Sequence, residues 1–344
     1  MDTIDEYTAL SNGAGLTSGA GMFSSGESMG ERDEDRSFEI DELDIALAAE
    51  LEKDARQSNP ELAAKLGVSS STIRRKLKRL VDAKAINFFT IPSITSLDLL
   101  TVALFGIKTS PGQADVVLRH LQSLRSARYS ALYIGYYDIV MMGIFRDRDE
   151  LVNFIDGDLA TVPSIVSVDM ILRVKNVKSS WRYLGGSFDT VEEPRPRKLD
   201  KYEKNLVRFL EINPRESITN LSKLVGLNRI LVGRKLQNLL SEHTLKVVGV
   251  IDPVAFGFHS VVVILVAVRP GKVGMVTQTL ALCPKVHHIT IISGRFNVIL
   301  WAVLRNPQEL YAFLRDDLGG MEGVVHYEAM YQMRRPKRDF ALSD

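Results

Sequence analysis

The chain has 344 residues, 45% hydrophobic and 25% charged, which are ordinary globular values, and its length accommodates roughly two to four domains. A formal net charge of +1 excludes a polycation, so any nucleic-acid surface has to be a local patch. The single cysteine, Cys283, excludes an internal disulfide and a cysteine-only metal site and fits a reducing cytoplasm. Apolar runs such as residues 261–268 are too short to span a bilayer. No basic segment leads into an apolar one at the N-terminus, so no signal peptide is expected.

Residues 1–36 are rich in Gly, Ser, Asp and Glu and read as a disordered acidic tail. Helical periodicity begins at Asp41, where Ile45, Leu47, Ala48 and Leu51 make one apolar stripe. Asn59-Pro60 supplies the next helix start, with Asn as N-cap and Pro in the first turn. Leu62, Ala63 and Leu66 form its apolar face and Gly67 ends it. After a tight turn at Val68-Ser69-Ser70, a third helix is expected over residues 71–83, with Ile73, Leu77 and Leu80 facing the core. Two short helices joined by a turn containing Gly make a helix-turn-helix. Residues 86–91 read as a short β-wing, which gives a winged helix-turn-helix domain over residues 37–92.

The texture then changes. Strands are expected over residues 100–109, 127–134, 139–145 and 165–173, with helices from Pro111-Gly112 to about residue 123 and over 149–159. Gly135-Tyr136-Tyr137-Asp138 is a hairpin turn. The order βαββαβ is the ferredoxin-like split motif, here an α+β effector domain over residues 97–175. Residues 176–198, broken by Gly185-Gly186, Pro194 and Pro196, read as a linker.

The chain then repeats itself. Adding 159 to a residue number (200 − 41 = 159) pairs Asp41 with Asp200, Leu51 with Leu210, Arg56 with Arg215, Gly67 with Gly226, Arg75 with Arg234, Gly135 with Gly294 and Phe154 with Phe313, without a gap. The period is too long for a solenoid and implies duplication of a whole module. A second winged helix-turn-helix is expected over residues 199–250 and a second βαββαβ unit over 255–335, followed by a C-terminal tail over 336–344. Two such units in one chain act as a covalent dimer, the symmetry suited to a two-fold DNA site.

Chemistry concentrates on the third helix. Ser71, Arg74, Arg75 and Lys78 lie at i, i+3, i+4 and i+7, on one face opposite the core stripe. Such a helix fits the major groove, where Arg and Lys reach guanine edges and phosphates. Arg74, Arg75 and Lys78 are the expected groove contacts; Ser69, Ser70, Ser71, Thr72, Lys76 and Arg79 are expected on the phosphate backbone. A basic run on its own more often only solvates a helix face; the helix-turn-helix setting favours DNA here. The second helix carries Gly233 for Arg74, Gln237 for Lys78, Asn238 for Arg79 and Ile230 for Ser71, leaving Arg229, Arg234 and Lys235 as its basic residues. It therefore binds DNA more weakly, reads a different sequence, or only packs.

These residues resemble the Lrp/AsnC (leucine-/asparagine-responsive) family of prokaryotic transcription regulators. The likeness is carried by Asp54-Ala55-Arg56-Gln57-Ser58 at the exit of the first helix, Glu61 to Ser69 at the turn, Ile73 to Leu80 in the recognition helix, and the turns Gly135-Tyr136-Tyr137-Asp138 and Gly294-Arg295-Phe296-Asn297. It covers about residues 38–342. The resemblance implies an effector domain of ferredoxin-like (RAM) type that binds a small molecule, often an amino acid, near those turns, and dimers that build larger homo-oligomers. It implies double-stranded DNA as partner and a cytoplasmic, non-membrane setting. The family normally has one unit per chain and this chain has two, so its two effector sheets are expected to pair with each other as a pseudo-dimer. Asp138 would pair with a ligand ammonium, whereas Asn297 would only hydrogen-bond it. A structural reading stands beside this: Gly supplies the turn's positive φ and Asp or Asn tolerates the left-handed region.

No catalytic, metal-binding or cofactor motif emerges. The six histidines form no HExxH set, no Gly-x-Ser-x-Gly elbow, P-loop or dinucleotide fingerprint is present, and Gly13 to Gly21 lie in the acidic tail with no preceding strand. One enzymatic alternative resembles the same architecture. Sirohaem decarboxylases carry a His some eight residues before an aromatic-Asn pair, a spacing echoed by His288 and Phe296-Asn297. However, Ile292 stands where an Arg is expected, and Tyr129 occupies the position of His288 in the first half.

Overall fold

The computed structural model describes residues 39–93, 101–185, 197–333 and 337–338. The acidic tail, residues 186–196 of the expected linker and most of the C-terminal tail lie outside them. Helix α1 (Glu42–Lys53) starts where Asp41 accepts the Asp44 N–H and Asp44 accepts the Asp41 N–H, a closed capping box. Helix α2 (Asn59–Leu66) is capped one residue earlier than the sequence suggests. Ser58, not Asn59, is its N-cap, because the Ser58 hydroxyl and Glu61 carboxylate exchange hydrogen bonds with each other's N–H groups. Gly67, at φ 67°, ends it in the left-handed conformation. Helix α3 (Ser70–Asp82) is capped by Ser69, whose hydroxyl accepts the Thr72 N–H.

Strand β1 (Ile86–Pro92) follows α3. Then come β2 (Thr101–Thr109), α4 (Ala114–Ser123), β3 (Ala127–Ile134), β4 (Ile139–Phe145), α5 (Arg148–Asn153) and β5 (Ile165–Ser179). The same order recurs as α6 (Lys201–Ile212), α7 (Ile218–Val225), α8 (Arg229–Ser241), β6 (Leu245–Ile251), β7 (Ser260–Val268), α9 (Val273–Ala281), β8 (Val286–Ile292), β9 (Val298–Leu304), α10 (Pro307–Ala312) and β10 (Val324–Gln332). A short β11 (Lys337–Arg338) follows. The helices expected over 149–159 and at its twin turn into wider π-type turns at Phe154–Asp158 and Phe313–Leu318.

Two strands of the first half pair with strands of the second. β1 is a single strand that pairs antiparallel with β6, from Ile86 opposite Ile251 to Pro92 opposite Leu245, symmetric about Phe89 and Val248. β5 also runs six residues past the expected end at Arg173, into the region read as linker. Its first half pairs with β2 and its second half, from Arg173 to Ser179, pairs with β8 of the other sheet. In the same way β10 pairs with β7 and then, through Tyr331 and Gln332, with β3, where β11 adds Lys337 and Arg338. Strands β10-β7-β9-β8-β5-β2-β4-β3 thus close on themselves.

Each sheet buries one face under its own helices. Phe105, Phe145 and Phe154 anchor one core, and Ile264, Leu300 and Phe313 the other. The opposite faces meet in a third core built from Leu104, Tyr129, Tyr133, Tyr137, Leu265, Phe296, Ile299 and Met330. The helical layer is interlocked too. Val250 and Ile251 of β6 enter the core of α1–α3 alongside Phe256 and Val303, and the Thr90 hydroxyl of β1 donates to the Leu210 carbonyl at the end of α6, 2.6 Å away. Its counterpart on β6 is Gly249, where an added Cβ would lie 2.8 Å from the Leu51 carbonyl oxygen.

Two reciprocal clamps hold the halves. The Arg56 guanidinium donates to the Pro214 and Glu216 carbonyls at 2.6 and 2.7 Å, while Arg215 donates to the Ala55 and Gln57 carbonyls. A planar guanidinium spans two carbonyls at once; a lysine ammonium lacks that fork. Glu52, on α1, ties the helical layer to the segment leaving β5: its carboxylate accepts the Tyr183 and Leu184 N–H groups, both at 3.0 Å. Burial raises its pKa to about 7, against those two hydrogen bonds and the nearby Arg182 charge.

Arg215→Lys is expected to keep the charge but lose one carbonyl, lowering stability by about 1–3 kcal/mol in urea unfolding. For Glu52 the folded pKa lies above the ordinary 4.5, so the folded state holds the extra proton and its contribution is lost as pH rises through about 7. Wild-type stability minus that of Glu52→Gln should therefore fall by up to roughly 3 kcal/mol between pH 4.5 and 8. The difference curve isolates Glu52, because His287 and His288, held near pKa 3 by burial, impose the opposite slope as pH falls below about 6.5. A flat difference would show that Glu52 is not the group responsible.

Candidate DNA interface and effector turns

Helix α3 separates its residues by face. Ile73 and Leu80 are buried in the helical core. Ser69, Ser70, Ser71, Arg74, Arg75 and Lys78 are exposed, and Thr72 is half-buried at the N-terminal end. The Ser69 hydroxyl lies 2.8 Å from those of Ser71 and Thr72, so the first turn carries clustered hydroxyls beside unpaired helix N–H groups. Arg74 and Arg75 make no ion pair among the described residues, while Lys78 bonds Asp82 one turn on, at 2.8 Å. Both partners of that pair are exposed, so it is worth little and is readily exchanged for a phosphate.

Lys76 is not open to the phosphate contact expected of it, and Arg79 is open to it only in part. Lys76 points inward to Asp41 and Asp44, and its side chain is only 14% exposed. Arg79 reaches Asp44 and donates to the Glu39 carbonyl. The cause is the capping box of α1, whose acidic pair lies under the middle of α3; the Lys76 hydrogen bond holds the Asp41 pKa down to about 2. Lys76 fastens helices rather than facing outward, while Arg79 holds Asp44 with its side chain still 40% exposed beside Arg75 and Lys78.

The second helix repeats the fastening. Lys235 binds the capping Asp200, and Arg197 donates to Glu203 at 2.9 and 3.2 Å. Arg229, Arg234, Gln237 and Asn238 are exposed. Among the five second-helix candidates, only Lys235 is drawn inward.

The structure brings the two effector turns together. The Tyr136 ring meets Phe296 edge-on at 5.4 Å and Tyr137 at 4.8 Å, so aromatic rings fill the space between the turns. Gly135, Gly294 and Arg295 stay exposed on the rim, with the Arg295 guanidinium 5.6 Å from the Phe296 ring centre. Tyr137 donates to Asp169 at 2.7 Å and lies over Gly106, where a Cβ would collide with its ring.

Asp138, expected to pair with a ligand ammonium, already pairs with the Lys108 ammonium. It turns back onto its own sheet, accepting the Thr109 N–H at 2.8 Å, the Thr109 hydroxyl at 3.2 Å and Lys108 at 3.1 Å. Asn297 does the same work in the second half, accepting the Val268 N–H at 2.9 Å and donating to the Val268 carbonyl at 2.7 Å. Asp and Asn stand at equivalent positions because both can staple the turn to the end of the neighbouring strand.

Sequence reasoning misses Glu52, the arginine clamps and the outer faces of β5 and β10. Arg56 and Arg215 are recognisable in the sequence only as a repeated pair. The signal on β5 is an even-numbered run, Val166, Met170, Leu172 and Val174, all exposed. Among the described residues, no three His, Cys, Asp or Glu side chains are grouped to hold a metal, and no helix is long and apolar enough to cross a membrane.

Asp138→Asn is expected to keep the staple and change stability by less than about 1 kcal/mol, since only the part-exposed Lys108 pair is lost. Asp138→Leu should leave the Thr109 N–H unpaired and cost about 1–3 kcal/mol by thermal unfolding. Equal losses in both variants would contradict the stapling role.

Residues 40–81 match the AsnC-type helix-turn-helix domain and residues 261–342 the Lrp/AsnC ligand binding domain. An uncharacterized HTH-type transcriptional regulator of Pyrococcus furiosus is 32% identical over 135 residues, 38% of this chain and 85% of that protein. The HTH-type transcriptional regulator LrpA of Pyrococcus horikoshii is 28% identical over 144 residues, 40% of this chain and 99% of that protein. Among solved structures, the siroheme decarboxylase NirDL shares the fold at a TM-score of 0.59, with 11% identity over 87% of this chain and 94% of its own. The helix-turn-helix, the ligand-binding domain and the regulators of matching sequence agree: the chain belongs to the Lrp/AsnC family of transcriptional regulators.

Proposed function

We propose that the chain is a non-enzymatic, sequence-specific DNA-binding regulator that carries two copies of the family's unit. In this reading, residues 37–92 and 199–250 are its DNA-binding domains and residues 97–175 and 255–335 its effector domains. The observation that carries it is the exposed face of α3, where Arg74, Arg75 and Lys78 stand opposite a buried stripe at the spacing a major-groove helix needs. The duplication is supported by relatives matched nearly end to end by about two-fifths of this chain. It is supported too by cross-sheet pairs that obey the shift of 159: Arg173 faces Ile292, and Gln332 faces Tyr133.

The effector, a small molecule such as an amino acid, is placed on the rim of the paired turns, where Arg295 offers a cation to a carboxylate. Larger homo-oligomers are assigned to the outer faces of β5 and β10. Val166 and Val174 on β5, Val325 on β10 and Met333 just past its end are exposed, Val166 and Val174 at 66% each, on equivalent positions of the two halves. The setting is the cytoplasm, where the DNA is.

A second reading, a sirohaem decarboxylase-like enzyme, draws on the fold likeness to NirDL and on His288, whose ring lies 4.6 Å from Trp181 and 6.2 Å from Trp301. It requires a tetrapyrrole absorption band on titration with an iron porphyrin; without one, this reading falls.

Fluorescence anisotropy on DNA from upstream of the chain's own gene, against scrambled DNA over a salt series, tests the regulator. Arg74→Ala with Arg75→Ala should weaken binding by about 1–3 kcal/mol for each base that is no longer read and flatten the salt slope by roughly 0.9 for each phosphate that is no longer neutralised. Arg234→Ala should do much less. Equal losses would overturn the assignment of α3 as the stronger reader, and salt-insensitive or absent wild-type binding would overturn the regulator itself.

A further inference from the structure

We infer that the operator is asymmetric, with G·C pairs read under α3 and A·T pairs read under α8 through a thymine methyl on Ile230 and an adenine edge on Gln237. This rests on the regulator reading above and deepens it. The shift of 159 puts Ile230, Gly233, Arg234 and Gln237 at the positions of Ser71, Arg74, Arg75 and Lys78. The two helices belong to halves related by the two-fold of the β1–β6 ladder and the reciprocal arginine clamps, so both face equivalent grooves of a two-fold DNA, and Ile230 lacks the hydroxyl that Ser71 offers to a phosphate.

Ile230 is the second residue of α8, at the helix end that a recognition helix directs to base edges. It is 85% exposed, more than any other large hydrophobic among the described residues. Its apolar neighbour at the surface opening beside it is Ile218, itself part-exposed, with Ser222, Asn228 and Arg229 completing the lining. An isoleucine so exposed adds little to the fold. In a major groove it meets the one apolar group that DNA displays, the C5-methyl of thymine.

Gly233 points the same way. A Cβ added there would find nothing nearer than Ile218 Cδ1 at 3.9 Å, so the packing of α7 against α8 does not require glycine, although glycine costs about 1 kcal/mol relative to alanine inside a helix. What its bare backbone permits is closer approach of α8 to the base edges, which Arg74 holds apart in α3. Gln237, exposed one turn beyond Gly233, is a side chain that pairs bidentately with adenine, where α3 carries Lys78. Exposed Arg229 and Arg234 keep the phosphate attraction that docking needs. A homodimer presents identical helices and can read only matching half-sites; two helices in one chain are free to differ.

The test is selection of double-stranded oligonucleotides from a randomised pool by the full-length chain, followed by anisotropy on the selected site with each thymine replaced in turn by deoxyuridine. The expected site has guanine contacts in one half and A·T pairs in the other. Uracil at one or two positions of the A·T half should weaken wild-type binding about fourfold, the weight of one buried methyl group. Ile230→Ala should bind both versions equally and fold normally, since Ile230 is exposed. A selected site with guanines symmetrically in both halves, or wild-type binding indifferent to uracil at every position, overturns the inference while leaving the regulator in place. A pool that shows no enrichment removes the regulator reading and the inference with it.

Discussion

Two strands that each serve two sheets hold this molecule together. β5 spends its first half on β2 and its second half on β8, and β10 divides in the same way between β7 and β3. A sheet with helices on one face has an apolar face left over, which must be covered. Here each sheet covers the other, and the crossing strands fix the distance and register at which they do so. The ladder also removes the edges at which such sheets would otherwise recruit foreign strands. The helical layer obeys the same two-fold, since β1 and β6 pair about Phe89 and Val248 and each packs on the first helix of the other half.

A two-fold built inside one chain lets equivalent positions diverge while the geometry holds. Thr90 supplies a hydrogen bond where Gly249 supplies close backbone contact. Tyr137 needs Gly106 beneath it, whereas the position equivalent to Gly106 is Leu265, and Phe296, the equivalent of Tyr137, stacks on His326 at 5.9 Å. Asp138 and Asn297 reach the same staple with different atoms. In the interior these exchanges come as compensated sets, because a buried polar group without a partner is expensive. On the exposed faces of α3 and α8 no packing constraint applies, so differences there need no compensation in the interior.

Much of this is legible from local signals. Helix caps, the Gly67 stop, the strands at 127–134 and 139–145 and the basic face of α3 rest on short-range rules that the sequence states directly. The N-cap expected at Asn59 shows how close competitors are decided: Ser58 wins because Glu61 stands at the right distance to close a box. The wing and the end of β5 escape such rules for a different reason. Both partner strands lie more than a hundred residues away, and nothing in β1 or β5 says whether the next strand is a neighbour in sequence or its distant twin. Lys76 and Arg79 depart from expectation because charge periodicity gives a face but not a partner, and Asp41 and Asp44 lie at the start of another helix. Ile230 is visible in the sequence as a substitution; its meaning requires its exposure.

The layout also ties the sheets to the helical layer. The chain leaves β5 with the Ser180 N–H on the His287 carbonyl, passes Tyr183 against the His287 ring at 4.6 Å, and ends on the Glu52 carboxylate of α1. α1 in turn holds α3 through Asp41, Asp44, Lys76 and Arg79. Each of these links is a hydrogen bond, an ion pair or a packed ring. β5 and β8 are thus joined to α1, and through it to α3, by an unbroken run of contacts, while Arg56 and Arg215 join the two halves. Each clamp holds the backbone beside the other arginine, so the two clamped loops are tied to one another.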